Sequence, residues 1–105
     1  SRSRHSVIPV LDAAGNLLGE IDINKRRNIV FRIELYHHFT ASQLMQPPPA
    51  TLAETLPMTE VMSTFDKTRA DFLPVLDAEG HLHGYISRER MLDQYRKMVA
   101  DMSDD

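Results

Sequence analysis

The sequence predicts an α+β (α/β) chain made of two related modules, each a small three-stranded mixed sheet with two helices, the first of them truncated. Three observations predict it. The stretch FLPVLDAEGHLHGYISRERML, Phe72 to Leu92, nearly repeats VIPVLDAAGNLLGEIDINKRR, Val7 to Arg27, at an offset of 65 residues. Identical residues recur at Pro9/Pro74, Val10/Val75, Leu11/Leu76, Asp12/Asp77, Ala13/Ala78, Gly15/Gly80, Leu17/Leu82, Gly19/Gly84 and Ile21/Ile86, and a fixed-period repeat means one supersecondary unit used twice. Within each copy an apolar run gives way to an Asp/Gly turn and then to a second apolar run, the pattern of a hairpin. Only the second copy has, upstream of its hairpin, a helical stripe and an extended segment to complete the unit. The chain therefore starts partway through its first repeat and is expected to be a piece of a longer protein.

In order along the chain, Val7, Ile8, Val10 and Leu11 form the first strand, and Asp12 with Gly15 supplies the turn that stops it. Pro9, and Pro74 in the second copy, have no N–H for a ladder and are expected near a strand start or on its non-bonding side. Gly19 and Gly84 mark a bulge or a close backbone approach. From Asn24 to about Tyr36, Ile29, Val30, Ile33 and Tyr36 are spaced for one face of a helix. The neighbouring His37 and His38 point about 100° apart on a helix with no third ligand placed beside them, so no metal site is expected there. Thr40 to Met45 reads as a short helical turn, stopped by Pro47, Pro48 and Pro49, with a short strand following at Ala50 to Ala53. Pro57 suits a helix start, and Met58, Val61, Met62 and Phe65 make an apolar stripe at i, i+3, i+4 and i+7. The last helix, from about Arg88 to Met102, is N-capped by Ser87 and carries Met91, Leu92, Tyr95, Met98, Val99 and Met102. Its acidic end, Asp101 to Asp105, faces the unfavourable end of the helix dipole and is expected to fray.

Composition excludes several functions. With 105 residues, 42% hydrophobic content and a formal net charge of −3, the chain is one domain's worth of ordinary globular sequence with no basic block for nucleic acid. Without cysteine there is neither a disulfide nor a thiolate nucleophile. No apolar run approaches the roughly 20 residues of a membrane helix. Ser87 has no base beside it, and His81 and His83 show no cysteine or carboxylate set at ligand spacing. Asp12 and Asp77 read as turn residues, so no catalytic constellation is expected.

The order of elements, with LPVLDAEGHLHGYIS at Leu73 to Ser87 and its echo at Ile8 to Asp22, resembles the CBS domain, a module that works in tandem pairs. The resemblance divides the chain into the C-terminal part of a first CBS module (1–36), a linker (37–49) and a second module (50–105). It implies a regulatory, non-catalytic and usually dimeric attachment to an enzyme or transporter, with no metal and no resident cofactor. Some members bind adenine nucleotides between modules. In this chain the resemblance places such a cleft at Ala70, Phe72, Ser87 and Arg90. Nucleotide-binding members show Ser/Thr at the end of the last strand and Asp three residues later, the carboxylate accepting from the ribose hydroxyls. Here Ser87 is followed by Arg90, and in the first copy Asp22 by Lys25. Neither cation offers an acceptor, so weak or absent nucleotide binding is expected, although Arg90 suits a phosphate. Arg27 to Leu52, with GYISRERMLDQYRKMVADMSDD at the end, is similar to the cytoplasmic tail of bacterial voltage-gated-type (ClC) chloride channels and chloride/proton exchangers. That likeness implies a homodimer through its CBS modules, an upstream transmembrane transport domain, and a place on the cytoplasmic side of the inner membrane. The alternative is a CBS pair attached to a magnesium transporter or a metabolic dehydrogenase.

Overall fold

The computed structural model describes residues 7–24, 32 and 37–103; the helix expected over Asn24 to Tyr36 lies almost wholly outside them. The first copy is a hairpin of β1 (Val7–Leu11) and β2 (Leu17–Asp22). The second copy has β3 (Leu52–Ala53), helix α2 (Met58–Thr68), β4 (Phe72–Leu76), β5 (Leu82–Ser87) and helix α3 (Arg88–Ser103). Between the copies lies the four-residue turn α1 (Ala41–Leu44). β3 runs parallel to β4, to which it is joined through α2, and β4 pairs antiparallel with β5. This is the mixed three-stranded sheet that the order of elements implies.

The two hairpins have the same geometry because they have the same turn chemistry. Asp12 Oδ1 accepts from the backbone N–H of Ala14 and of Asn16, each at 2.9 Å, and Asp77 Oδ1 accepts from Glu79 and His81 at the same distances. Gly15 and Gly80 stand at φ of 92° and 90°, a conformation only glycine takes without strain. These donors hold both carboxyls below the usual range, the backbone hydrogen bonds from Asn16 and from His81 being the largest cause at Asp12 and Asp77 respectively. Because the folded values lie below the ordinary 3.8, the turns stabilise the fold above that pH and lose the contribution as pH falls through the folded values. Asp77→Asn is expected to flatten the fall in stability between about pH 4 and pH 2, read by urea unfolding at each pH.

Both hairpins also carry a register shift after Val10 and Val75, opposite Gly19 and Gly84. The two glycines serve different ends. Gly84 is at φ 154° with open space where a Cβ would stand. A Cβ on Gly19 would lie 3.0 Å from Met45 Sδ and 3.1 Å from the Gln46 carbonyl oxygen. Pro74 sits third in β4 rather than at its start, which is tolerated because β3 pairs only with Val75 and Leu76.

The core lies in the second copy, where Leu52, Val61, Phe65, Leu73 and Met91 are buried together and Met58, Met62, Val75, Ile86 and Leu92 pack around them. α2 presents its expected stripe to this core, with Pro57 at the N-cap rather than inside the first turn. Arg69 closes α2 in the left-handed conformation, φ 61°, where a side chain costs roughly 1–2 kcal/mol relative to its absence. Arg69→Gly should therefore raise stability by about 0.5–1 kcal/mol after glycine's own entropy is counted, a shift visible in the thermal midpoint. Ser87 Oγ accepts from the Arg90 N–H at 3.0 Å, the expected N-cap. α3 then continues through Ser103, so that Asp101 is helical rather than frayed. Only its first turns meet the core. Tyr95, Met98, Val99 and Met102 are exposed, because the helix runs on beyond the sheet it packs against.

A first copy lacking a strand and a helix would leave apolar residues such as Val7, Ile8, Val10 and Ile21 without in-chain cover. Ile8 is exposed as expected, but Ile21 is buried. Beside it, Gln46 pairs with Glu20 through two backbone hydrogen bonds of 2.8 Å, and Met45 lies against Gly19.

Candidate functional site: clefts at the junction of the two copies

The copies meet through equivalent positions. Asn16 bridges to His81; the Leu17 N–H donates to the Gly80 carbonyl at 3.4 Å, and the Leu82 N–H donates to the Gly15 carbonyl at 3.1 Å. Exchanging each residue for its counterpart 65 positions away turns one of these bonds into the other, the signature of a local two-fold axis. The Tyr85 hydroxyl donates to Glu20 Oε1 at 3.0 Å, again across 65 residues. Glu20 is 4% exposed. Burial, with the Glu20 charge second, pushes the Tyr85 phenol well above its usual range, so Tyr85 is a fixed hydrogen-bond donor to that carboxylate at neutral pH.

Beside this junction lie two adjoining cavities that share Val7 and Phe72. One, about 160 Å³, is lined by Val7, Phe72, Tyr85, Ser87 and Arg90. The other, about 420 Å³, is lined by Ala70 and Phe72 together with Glu20, Asp22, Gln46, Thr68, Arg69 and Asp71, among others. Of the cleft residues predicted from sequence, Phe72, Ser87 and Arg90 thus come together in one cavity. Ala70 lies in its neighbour, on the other side of Phe72. Ser87 Oγ caps α3 by accepting from the Arg90 N–H, and Arg90 opens onto both this cavity and a third, apolar one of about 300 Å³ bounded by Leu52, Met58, Val75 and Met91. Lys25 lies outside the described residues.

Sequence reasoning missed the contribution of Val7 and Glu20, supplied by the first copy, and of Gln46 and Asp71. The repeat itself was the available signal, since Val7 and Glu20 are the counterparts of Phe72 and Tyr85. It also missed what surrounds the histidines. No carboxylate set was expected near His81 and His83, yet His81 Nδ1 lies 3.2 Å and His83 Nε2 3.1 Å from Asp77 Oδ2. Glu79 Oε1 is 3.6 Å from His81 Nδ1 and Glu54 Oε1 is 3.8 Å from His83 Nδ1. The turn folds Asp77 back over the start of β5, and β3 brings in Glu54, an approach that linear spacing does not display.

A hairpin repeated at an offset of 65 residues, completed in the second copy by a parallel strand and two helices and joined to its partner through a local two-fold with clefts beside the joint, defines a class of paired α+β modules. The chain belongs to the CBS domain family, whose profile matches residues 41–97. A CBS domain-containing protein of Dictyostelium discoideum is 30% identical over 102 residues, spanning 88% of this chain and 70% of that protein. Among solved structures, CBSX2 in complex with AMP superposes with a TM-score of 0.72 at 20% identity, covering 90% of this chain and 73% of that one. The CbpB protein of Listeria monocytogenes in complex with c-di-AMP gives 0.65 at 20% identity, covering 91% and 74%.

Proposed function

We propose that the chain is a non-catalytic regulatory CBS module whose junction clefts sense a small anionic ligand and pass its binding to a transport domain of the same protein. The observation that carries the reading is the placement of Arg90 in a cleft beside Phe72 and Ser87 at the joint between the copies. A ligand seated there touches Val7 from the first copy as well as residues of the second, so its binding energy depends on how the copies sit together. The known binding of AMP by CBSX2 and of c-di-AMP by CbpB supports an adenine nucleotide as the ligand class to test first. Arg90 in place of the acidic ribose partner argues that affinity for mononucleotides is weak.

The finer reading is a tail of a chloride channel or chloride/proton exchanger, on the cytoplasmic side of the membrane, divided at 1–36, 37–49 and 50–105. It rests on the likeness of Arg27 to Leu52 and of the C-terminal stretch to such tails; a magnesium transporter or a metabolic dehydrogenase is the alternative parent. Homodimerisation is part of the same reading. Tyr95, Met98, Val99 and Met102 are spaced at i, i+3, i+4 and i+7 along the exposed part of α3, a stripe a second copy would cover. Sedimentation equilibrium should give a dimer of the 12.0 kDa chain, weakened by Met98→Glu; a monomer persisting at about 100 μM would refute it. For the parent, chloride flux into vesicles carrying the full-length protein should persist without this chain but lose its response to ligand. Equal response with and without it would rule out the regulatory role.

A further inference from the structure

We infer that the turn between β4 and β5 is a binding site for a divalent transition metal of the zinc class, built on Asp77, Glu79 and His81 with His83 as a fourth ligand. One ligand atom from each of the first three lies within 4.8 Å of the other two. His81 Nδ1 stands 3.2 Å from Asp77 Oδ2 and 3.6 Å from Glu79 Oε1, and His83 Nε2 stands 3.1 Å from the same Asp77 oxygen. Donor atoms about 2.0–2.2 Å from a tetrahedral ion are separated by roughly 3.3–3.6 Å, so small shifts of Asp77, Glu79 and His81 admit the ion, and His83 joins them by a further side-chain rotation. Two imidazoles and two carboxylates suit zinc, cobalt or nickel better than magnesium or calcium, which take oxygen.

The first copy serves as an internal control for the rival explanation, that these residues merely build the turn. There the same turn, with the same Asp12 bonds to the backbone and a glycine at φ 92°, forms with Ala14, Asn16 and Leu18 where the second copy has Glu79, His81 and His83. Asn16 Nδ2 alone fills the place of an imidazole, donating to Asp12 Oδ2 at 3.1 Å. The turn therefore needs only its aspartate, and three potential ligands have been added to it in one copy.

The surroundings fit a coordinated ion. Asp77 Oδ1 is occupied by two backbone N–H groups, which fixes the carboxylate and leaves Oδ2 directed at the imidazoles. With His83 Nε2 on the metal, its Nδ1 faces Glu54 Oε1 at 3.8 Å, the carboxylate-to-imidazole arrangement that orients metal-bound histidines. His81 also pairs with Asn16 across the two-fold, so an ion held there bears directly on the joint between the copies.

The test is a titration of the metal-stripped full chain with CoCl2, followed by its visible d–d bands, and with ZnCl2 in competition. One equivalent of Co2+ in a low-symmetry N,O site, displaced by Zn2+, is expected. His81→Asn and His83→Leu, which install the first copy's own residues, should each weaken binding at least roughly tenfold, and Glu54→Gln by roughly 10–100-fold. Glu79→Ala, at a highly exposed position, gives a loss that cannot be ascribed to misfolding. Replacing His37 and His38 by alanine should change nothing. No uptake at millimolar Zn2+, or uptake that survives His81→Asn and disappears with the His37/His38 variant, would overturn the assignment.

Discussion

Replacing Leu73 by aspartate is expected to leave the whole chain unfolded. Leu73 is fully buried, second in β4, opposite Ile86 and in one core cluster with Leu52, Val61, Phe65 and Met91. The change removes about 2–3 kcal/mol of apolar burial and places a carboxylate where none of these neighbours can pair with it, which costs several kcal/mol more. A domain of this size has roughly 5–15 kcal/mol in total. The first copy has no core of its own among the described residues and is held through Gly15, Asn16, Leu17 and Glu20, so it should be lost in the same transition. Circular dichroism would show this directly, and a variant in which either half keeps a separate melt would contradict the single-body packing. Aspartate at Val75 or Ile86, both only partly buried, should cost less.

Arg88→Ala is expected to destabilise the chain by about 2–4 kcal/mol, a large effect for a half-buried position. Arg88 opens α3, yet its guanidinium reaches back to the end of α2, where Nη2 donates to the Phe65 carbonyl at 2.8 Å and Nε to the Ala70 carbonyl at 3.1 Å. Its charge also lies 5.7 Å from the Phe65 ring centre. Two charge-assisted bonds explain the magnitude, one to the Ala70 carbonyl and one to the Phe65 carbonyl at the helix C-terminus, which also accepts the Arg69 N–H at 2.9 Å. Arg88→Met, which keeps the apolar stem but not the donors, should recover only a minor part. An unfolding free energy from urea titration lowered by less than about 0.5 kcal/mol in Arg88→Ala would show that water satisfies these carbonyls as well.

Much of this architecture was legible because the sequence carries it twice. Asp12 and Asp77 act locally, on amides two and four residues away, so the turn chemistry could be read from residue type and spacing alone. The stripe of α2 and the Ser87 cap are local for the same reason. What escaped were contacts across long stretches of chain. Gln46 pairing with Glu20 of β2, Arg88 bonding to Phe65 and Ala70, and Glu20 meeting Tyr85 depend on tertiary closure, for which a single sequence gives no periodic signal. The repeat did contain the Glu20–Tyr85 contact in principle, since two-fold packing brings equivalent positions together, but their unlike chemistry hid it. Val7 escaped as a cleft residue because a cleft between copies takes one wall from each. The histidines were visible in sequence, but their carboxylate neighbours became apparent only once the turn had folded Asp77 onto them.

The measurement that bears most directly on the proposed regulatory cleft is a calorimetric titration of the full chain with AMP, ADP and ATP, repeated with Arg90→Ala. With a cation in the position of the ribose acceptor, binding is expected no tighter than about 0.1 mM, near −5.5 kcal/mol, rising in strength with phosphate number and weakened when Arg90 is removed. A micromolar constant for AMP that Arg90→Ala leaves unchanged would contradict the account, because the ribose would then be held by groups other than those assigned to the cleft.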